Sequence, residues 1–180
     1  MAIPLAAVIL ALRLGAIRTV IVLIALAHVT ILADQALFPI PIRLDYVLAG
    51  RAAQAELPGS NLNLVPFATI RPALAAGAPA VARQTAFLNL FVLSPAAIYL
   101  PLLVPRLRRL RAFVPVGILI GVSVELAQLA VSLFLGFRYR AIDVDDVILN
   151  TAGVFLAYAV FLAAVRATRR SQPVAAPEIR

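Results

Sequence analysis

Six residues in the second half of this sequence have the types and spacing of a chemical site. Glu125 and Gln128 stand three apart, which puts them on one face of a helix. Asp143, Asp146 and Asn150 follow at i, i+3 and i+7 and share a face in the same way, with Asp145 directed elsewhere. Arg140 lies just ahead of them, close enough along the chain to pair with their carboxylates. A carboxylate inside an apolar run can serve as a general acid or base, as a proton site, or as an interhelical hydrogen-bonding group. A guanidinium can grip a carboxylate or phosphate in a two-pronged contact. The structural alternative is capping, with Asp143 as N-cap and the other acids at the positive end of a helix dipole. Capping leaves Asn150 unexplained, because it falls about two turns into the helix.

Other chemistry is bounded by composition. There is no cysteine, so disulfides, thiolate metal sites and cysteine nucleophiles are excluded. One histidine, His28, cannot make a histidine-rich metal site and reads as a bonded bundle residue. Two carboxylates at i, i+3 are a weak metal signal, so no metal and no cofactor is expected. Asp34, in the same run as His28, is placed to join the acidic mouth. No phosphate-binding loop, dinucleotide fingerprint or nucleophile elbow is present. All 16 basic residues are Arg, and the formal net charge is +8. They cluster at the ends of apolar runs, so the basic balance points to a membrane and not to nucleic acid.

The elements that would position these residues are long and apolar. The chain has 180 residues, of which 63% are hydrophobic and 13% charged, with a mean hydropathy of +1.02. Soluble domains run near 45–50% apolar and about 25% charged. A chain this apolar cannot cover a globule with polar surface. A membrane helix needs about 20 residues, and hydropathy predicts four of them, at 16–38, 85–104, 113–137 and 144–165. Residues 2–12 are too short to span and read as an interfacial segment. Residues 39–84 form a long connection broken by Pro58-Gly59 and Pro72, with an interfacial helix near 43–51 and an apolar patch at 63–67. The fold class is all-α: a polytopic integral membrane protein, a four-helix transmembrane bundle with an N-terminal segment at 1–15, a membrane domain at 16–166 and a tail at 167–180. The short Arg106–Arg111 stretch, Arg13 with Arg18, and Arg166 with Arg169 and Arg170 fall on one side of such a bundle. Dense arginine marks the cytoplasmic side, so both termini are expected inside and the 39–84 and 138–143 connections outside.

Four sequence blocks resemble the VanZ-like family. They are Asn63-Leu-Val-Pro-Phe67, Asn89 with Pro95, Ser123-Val-Glu125-Leu-Ala-Gln128, and Arg140-Ala-Ile-Asp143-Val-Asp145-Asp146-Val-Ile-Leu-Asn150-Thr-Ala-Gly153. The last is the most specific. Leu93 and Ala97 stand where the family often has Phe and Gly, a change in packing more than in chemistry. The resemblance implies a small bacterial cell-membrane protein, linked through the family's name to teicoplanin resistance, and implies no established reaction. It also adds Asn63 and Asn89 to the candidate set. The expected site is a polar pocket open to the outer leaflet, built from Asn63, Asn89, Glu125, Gln128, Arg140, Asp143, Asp146 and Asn150. Its expected ligand is a lipid-linked cell-wall precursor or a glycopeptide. The alternatives are an enzyme acting on a lipid-linked or anionic headgroup, with Glu125 and Asp146 as acid and base, and a small proton-linked transporter.

Overall fold

The computed structural model describes residues 15–59 and 61–170. The interfacial N-terminal segment and the end of the tail expected from the sequence lie outside the described residues. Among the described residues, four spans are long and apolar enough to cross a membrane: Ala16–Leu37, Ala80–Leu103, Leu110–Leu135 and Val144–Thr168. The protein is thus an all-α polytopic membrane bundle. The first span is helix α1 (Ala16–Leu37), and Thr19 is its only buried residue. A helix apolar on every face with so little of it buried presents most of its surface to lipid.

The connection after α1 carries structure of its own. A helix is present where one was expected, as α2 (Leu44–Glu56), and a short helix α3 (Ile70–Leu74) follows. The second span starts five residues before the expected Thr85, because the Ala80-Val81-Ala82 run after Pro79 is already helical. It is also broken, into α4 (Ala80–Val92) and α5 (Ala96–Leu103). Pro95 has no N–H to give to the ladder and ends the first piece. His28 closes the gap: its Nε2 lies 2.8 Å from the carbonyl of Val92 and its Nδ1 3.3 Å from the Tyr99 hydroxyl. It is therefore the bonded bundle histidine that the sequence suggests.

A 3-10 turn at Pro105–Arg108 leads to α6 (Leu110–Leu135), and α7 (Val144–Arg170) completes the bundle. Helix α7 runs on past the expected end of its span at Val165. Between α6 and α7, Gly136 takes the left-handed conformation that ends a helix at little cost. The helices α6 and α7 pack closely and antiparallel, since Gly121 meets Thr151 and Gly117 meets Phe155. This register sets Glu125 level with the first turn of α7. Helix α7 packs equally closely on α4, where Gly153 lies against the backbone of Leu90.

The apolar core gathers toward the 105–108 turn. Leu93, Ala97, Phe113, Val154, Tyr158 and Phe161 form it. The rings of Phe113 and Tyr158 stack at 3.7 Å, and the Tyr158 hydroxyl donates to Leu107 O at 2.9 Å. The opposite end of the bundle, which carries the long connection, is polar. There β1 (Leu62–Asn63) and β2 (Ile142–Asp143) pair in parallel, Leu62 with Ile142 and Asn63 with Asp143. This pairing ties the apolar patch of the loop to the entrance of α7.

Candidate functional site

The first turn of α7 organises the polar end. Asp143 immediately precedes the helix, and its Oδ1 accepts the backbone N–H of Asp145 at 2.8 Å in the manner of an N-cap. The same oxygen accepts from Asn63 Nδ2 at 2.7 Å. Asn63 Oδ1 in turn accepts Val65 N–H at 3.0 Å, which shapes the loop from within. Asp145 is fully buried. Its carboxylate accepts backbone N–H groups from Phe67 at 2.5 Å, Thr69 at 2.7 Å and Ile70 at 3.1 Å, and the Thr69 hydroxyl at 2.7 Å. A carboxylate so supplied with donors, at a helix N-terminus, is held as a charge without needing a cation.

Asp146 turns the other way and accepts from Asn89 Nδ2 of α4. It lines a cavity of about 310 Å³ together with Asn89, Glu125, Gln128 and Asn150. Gln35 and Ala36 of α1 and the apolar side chains of Leu32, Leu88, Val92 and Val124 complete the wall. Glu125, Gln128 and Asn150 are buried, and Gln128 Nε2 donates to Ala36 O at 3.0 Å. Glu125 Oε2 and Asn150 Oδ1 are buried with no hydrogen-bond partner. Buried polar atoms are rarely left in that state. A second cavity of about 310 Å³, walled by Thr69, Ile70, Thr85, Asp143 and Leu149, meets the first at Asp146.

The structure thus brings five of the eight candidate residues to one cavity and places three outside it. Asn63 belongs to the loop clasp, and Asp143 to that clasp and the second cavity. Arg140 departs furthest from expectation. It does not reach Asp143 or Asp146; its Nη2 donates to Phe38 O at 2.5 Å. The last carbonyls of a helix lack partners and carry partial negative charge, and α1 ends at Leu37. Gln128, Tyr139 and Arg140 supply donors to Ala36 O, Leu37 O and Phe38 O in turn. Burial pushes the Tyr139 hydroxyl above its ordinary range, although Arg140 beside it pulls the other way. It therefore stays protonated as a donor.

Other arginines have the same work. Arg51 Nε donates to Leu135 O at the end of α6, and Arg108 Nε to Pro101 O near the end of α5. Asp34 is exposed and does not line the cavity; its neighbours Gln35 and Ala36 do. Asp145 is the residue that sequence reasoning left aside. Its signal was present in the double acid Asp145-Asp146, because adjacent helical residues face different neighbours. Among the described residues, no group of three or more His, Cys, Asp or Glu side chains is placed to hold a metal ion.

Comparison with curated proteins and with solved structures found no match. A family model described as VanZ/LLP1 matches residues 19–165 and so takes in nearly all of the four spans, the loop clasp and the cavity. The match covers most of the sequence, and on that ground this multi-pass membrane protein belongs to the VanZ/LLP1 family.

Proposed function

We propose that the protein receives the headgroup of a lipid-linked cell-wall component, or of a lipid-tailed glycopeptide, in the cavity between α1, α4, α6 and α7. The observation that carries this reading is the cavity itself: six polar side chains from four helices around about 310 Å³ inside an otherwise apolar bundle. Polar side chains at such a place are costly unless they meet each other, water or a ligand. Helix α1 leans on α5 and α6 and makes little contact with α4, so the seam between α1 and α4 is the thin wall. A headgroup with its tail left in the bilayer can enter there. The family's name links this role to teicoplanin.

The orientation follows from the arginines, with the 105–111 turn in the cytoplasm and the loop clasp outside. Cysteine labelling tests it in this cysteine-free chain. Leu57→Cys, at an exposed site beside the clasp, is expected to react with an impermeant reagent added to intact cells. Thr168→Cys, exposed at the far end of α7, is expected to react only after lysis. The reverse pattern would invert the bundle.

The functional test is expression in a sensitive Gram-positive host, with teicoplanin and vancomycin inhibitory concentrations read side by side. The wild-type chain is expected to raise the teicoplanin value severalfold and the vancomycin value less. Glu125→Gln, which keeps the shape, is expected to abolish the increase at an unchanged amount of membrane protein. An unaltered increase with that variant would remove the cavity from the function, and no increase with the wild type would remove the glycopeptide link. A second reading is an acid–base reaction, supported by Glu125 and Asp146 sharing one cavity. It requires a bound lipid to change mass on incubation with the purified protein, which mass spectrometry reads directly.

A further inference from the structure

The cavity wall is unbalanced in a way that specifies its occupant. It is rich in acceptors: the carboxylates of Glu125 and Asp146 and the amide oxygens of Gln35, Asn89, Gln128 and Asn150. Two of the amide donors on the wall are already engaged. Asn89 Nδ2 serves Asp146, and Gln128 Nε2 serves Ala36 O. No arginine lines the space, and Arg140 is held at Phe38 O. Two acceptors, Glu125 Oε2 and Asn150 Oδ1, are buried without any partner, and their residues are only 7% and 2% exposed. An anionic group would find no cationic side chain on this wall. A neutral hydroxyl has a single O–H donor, enough for only one of the two orphaned acceptors. A quaternary ammonium has no N–H to give, and its usual aromatic cage is absent from a wall with no aromatic side chain. A hard divalent cation takes about six or more oxygen ligands, and among the described residues no group of three or more His, Cys, Asp or Glu side chains is placed to hold one.

Resting on the headgroup reading above, we propose that the cavity binds a primary ammonium group, whose N–H donors are met by Glu125 and Asn150. A primary ammonium carries three donors and one positive charge. Two of its donors match the two orphaned acceptors, and its charge offsets the acidic wall. The same chemistry can come from the amino headgroup of a lipid or from a soluble amine, including the free amine of a wall peptide.

The test uses the full chain in detergent and measures binding of short-chain phosphatidylethanolamine. The comparison lipids are its N-acetyl derivative, phosphatidylcholine and phosphatidylglycerol, all with the same tails. Phosphatidylethanolamine is expected to bind about tenfold or more tightly than each of the others, the scale of a lost charge-assisted hydrogen bond. Glu125→Gln is expected to erase that preference. Its unliganded melting temperature shows whether it has folded, and Asn150→Leu reads the same contact if it has not. Competition by free ethanolamine at similar concentrations would show that the amine suffices; its failure would show that the lipid is needed. Equal binding of all four lipids would overturn the ammonium assignment and leave a headgroup cavity standing. Binding of none would overturn both. A folded Glu125→Gln or Asn150→Leu protein with the preference intact would overturn the assignment of its acceptors.

Discussion

Asp145→Ala is expected to lower the stability of the bundle by about 3–5 kcal/mol, the range for stripping a buried charge from its partners. The side chain is fully buried and receives four donors, three of them backbone N–H groups of the 67–70 segment. Alanine leaves those donors without an acceptor and also removes one of the two acidic residues from the first turn of α7. Because three of the four loop donors are backbone, a compensating change at the Thr69 side chain can relieve only one of them. Asp145→Asn is expected to recover part of the loss, since one oxygen remains, while its amide group faces donors it cannot accept from. Thermal unfolding of the purified variants in one detergent checks both. An Asp145→Ala protein within about 1 kcal/mol of the wild type, the worth of one ordinary hydrogen bond, would mean that the clasp contributes little to stability.

Gly153→Ala is expected to act as strongly by a different route. A Cβ on Gly153 would lie 2.6 Å from the carbonyl carbon of Leu90 and closer still to its oxygen. Backbone in a helix cannot step aside as a side chain can, so α4 must move off α7. Overpacking usually costs about 1–3 kcal/mol, and a clash with backbone belongs at or above the top of that range. Asn89 is the neighbour of Leu90, so separation of the helices also draws it away from Asp146. The variant is expected to show low yield in the membrane, and any folded fraction is expected to melt well below the wild type. Gly59→Ala is the control, because nothing lies within 4 Å of a Cβ there. A Gly153→Ala protein that melts like the wild type would refute the close α4–α7 contact.

The sequence made the spans legible because hydropathy over about 20 residues is a direct consequence of bilayer thickness. It also made much of the cavity legible. Glu125 with Gln128, and Asp146 with Asn150, share helix faces by periodicity alone, and each is expensive in lipid. Position along one helix does not reveal partners on another segment. Asp145 looked like an acid at a helix start, whereas its loop partners lie 75–78 residues away. Arg140 stands three residues before Asp143, but the turn directs it to α1, 102 residues back in the chain. The break in the second span escaped for another reason. Hydropathy averages over Pro95, and the early start lay hidden under the polar pair Arg83-Gln84.

The pairing of β1 with β2 joins positions 80 residues apart, which has a consequence for the order of assembly. Contacts of large sequence separation form late, because the intervening chain must first be placed. During synthesis the loop at 61–70 emerges long before Asp143 and Asp145 exist to receive it. Asn89 and Glu125 likewise enter the bilayer ahead of Asp146 and Asn150. Until the fourth span inserts, the loop N–H groups must be served by water, and the half-built cavity faces its surroundings open on the α7 side. The fourth span then closes the cavity and fastens the loop in a single step. A chain stopped before it holds three apolar spans with polar groups unpaired, a species for quality-control proteases to remove.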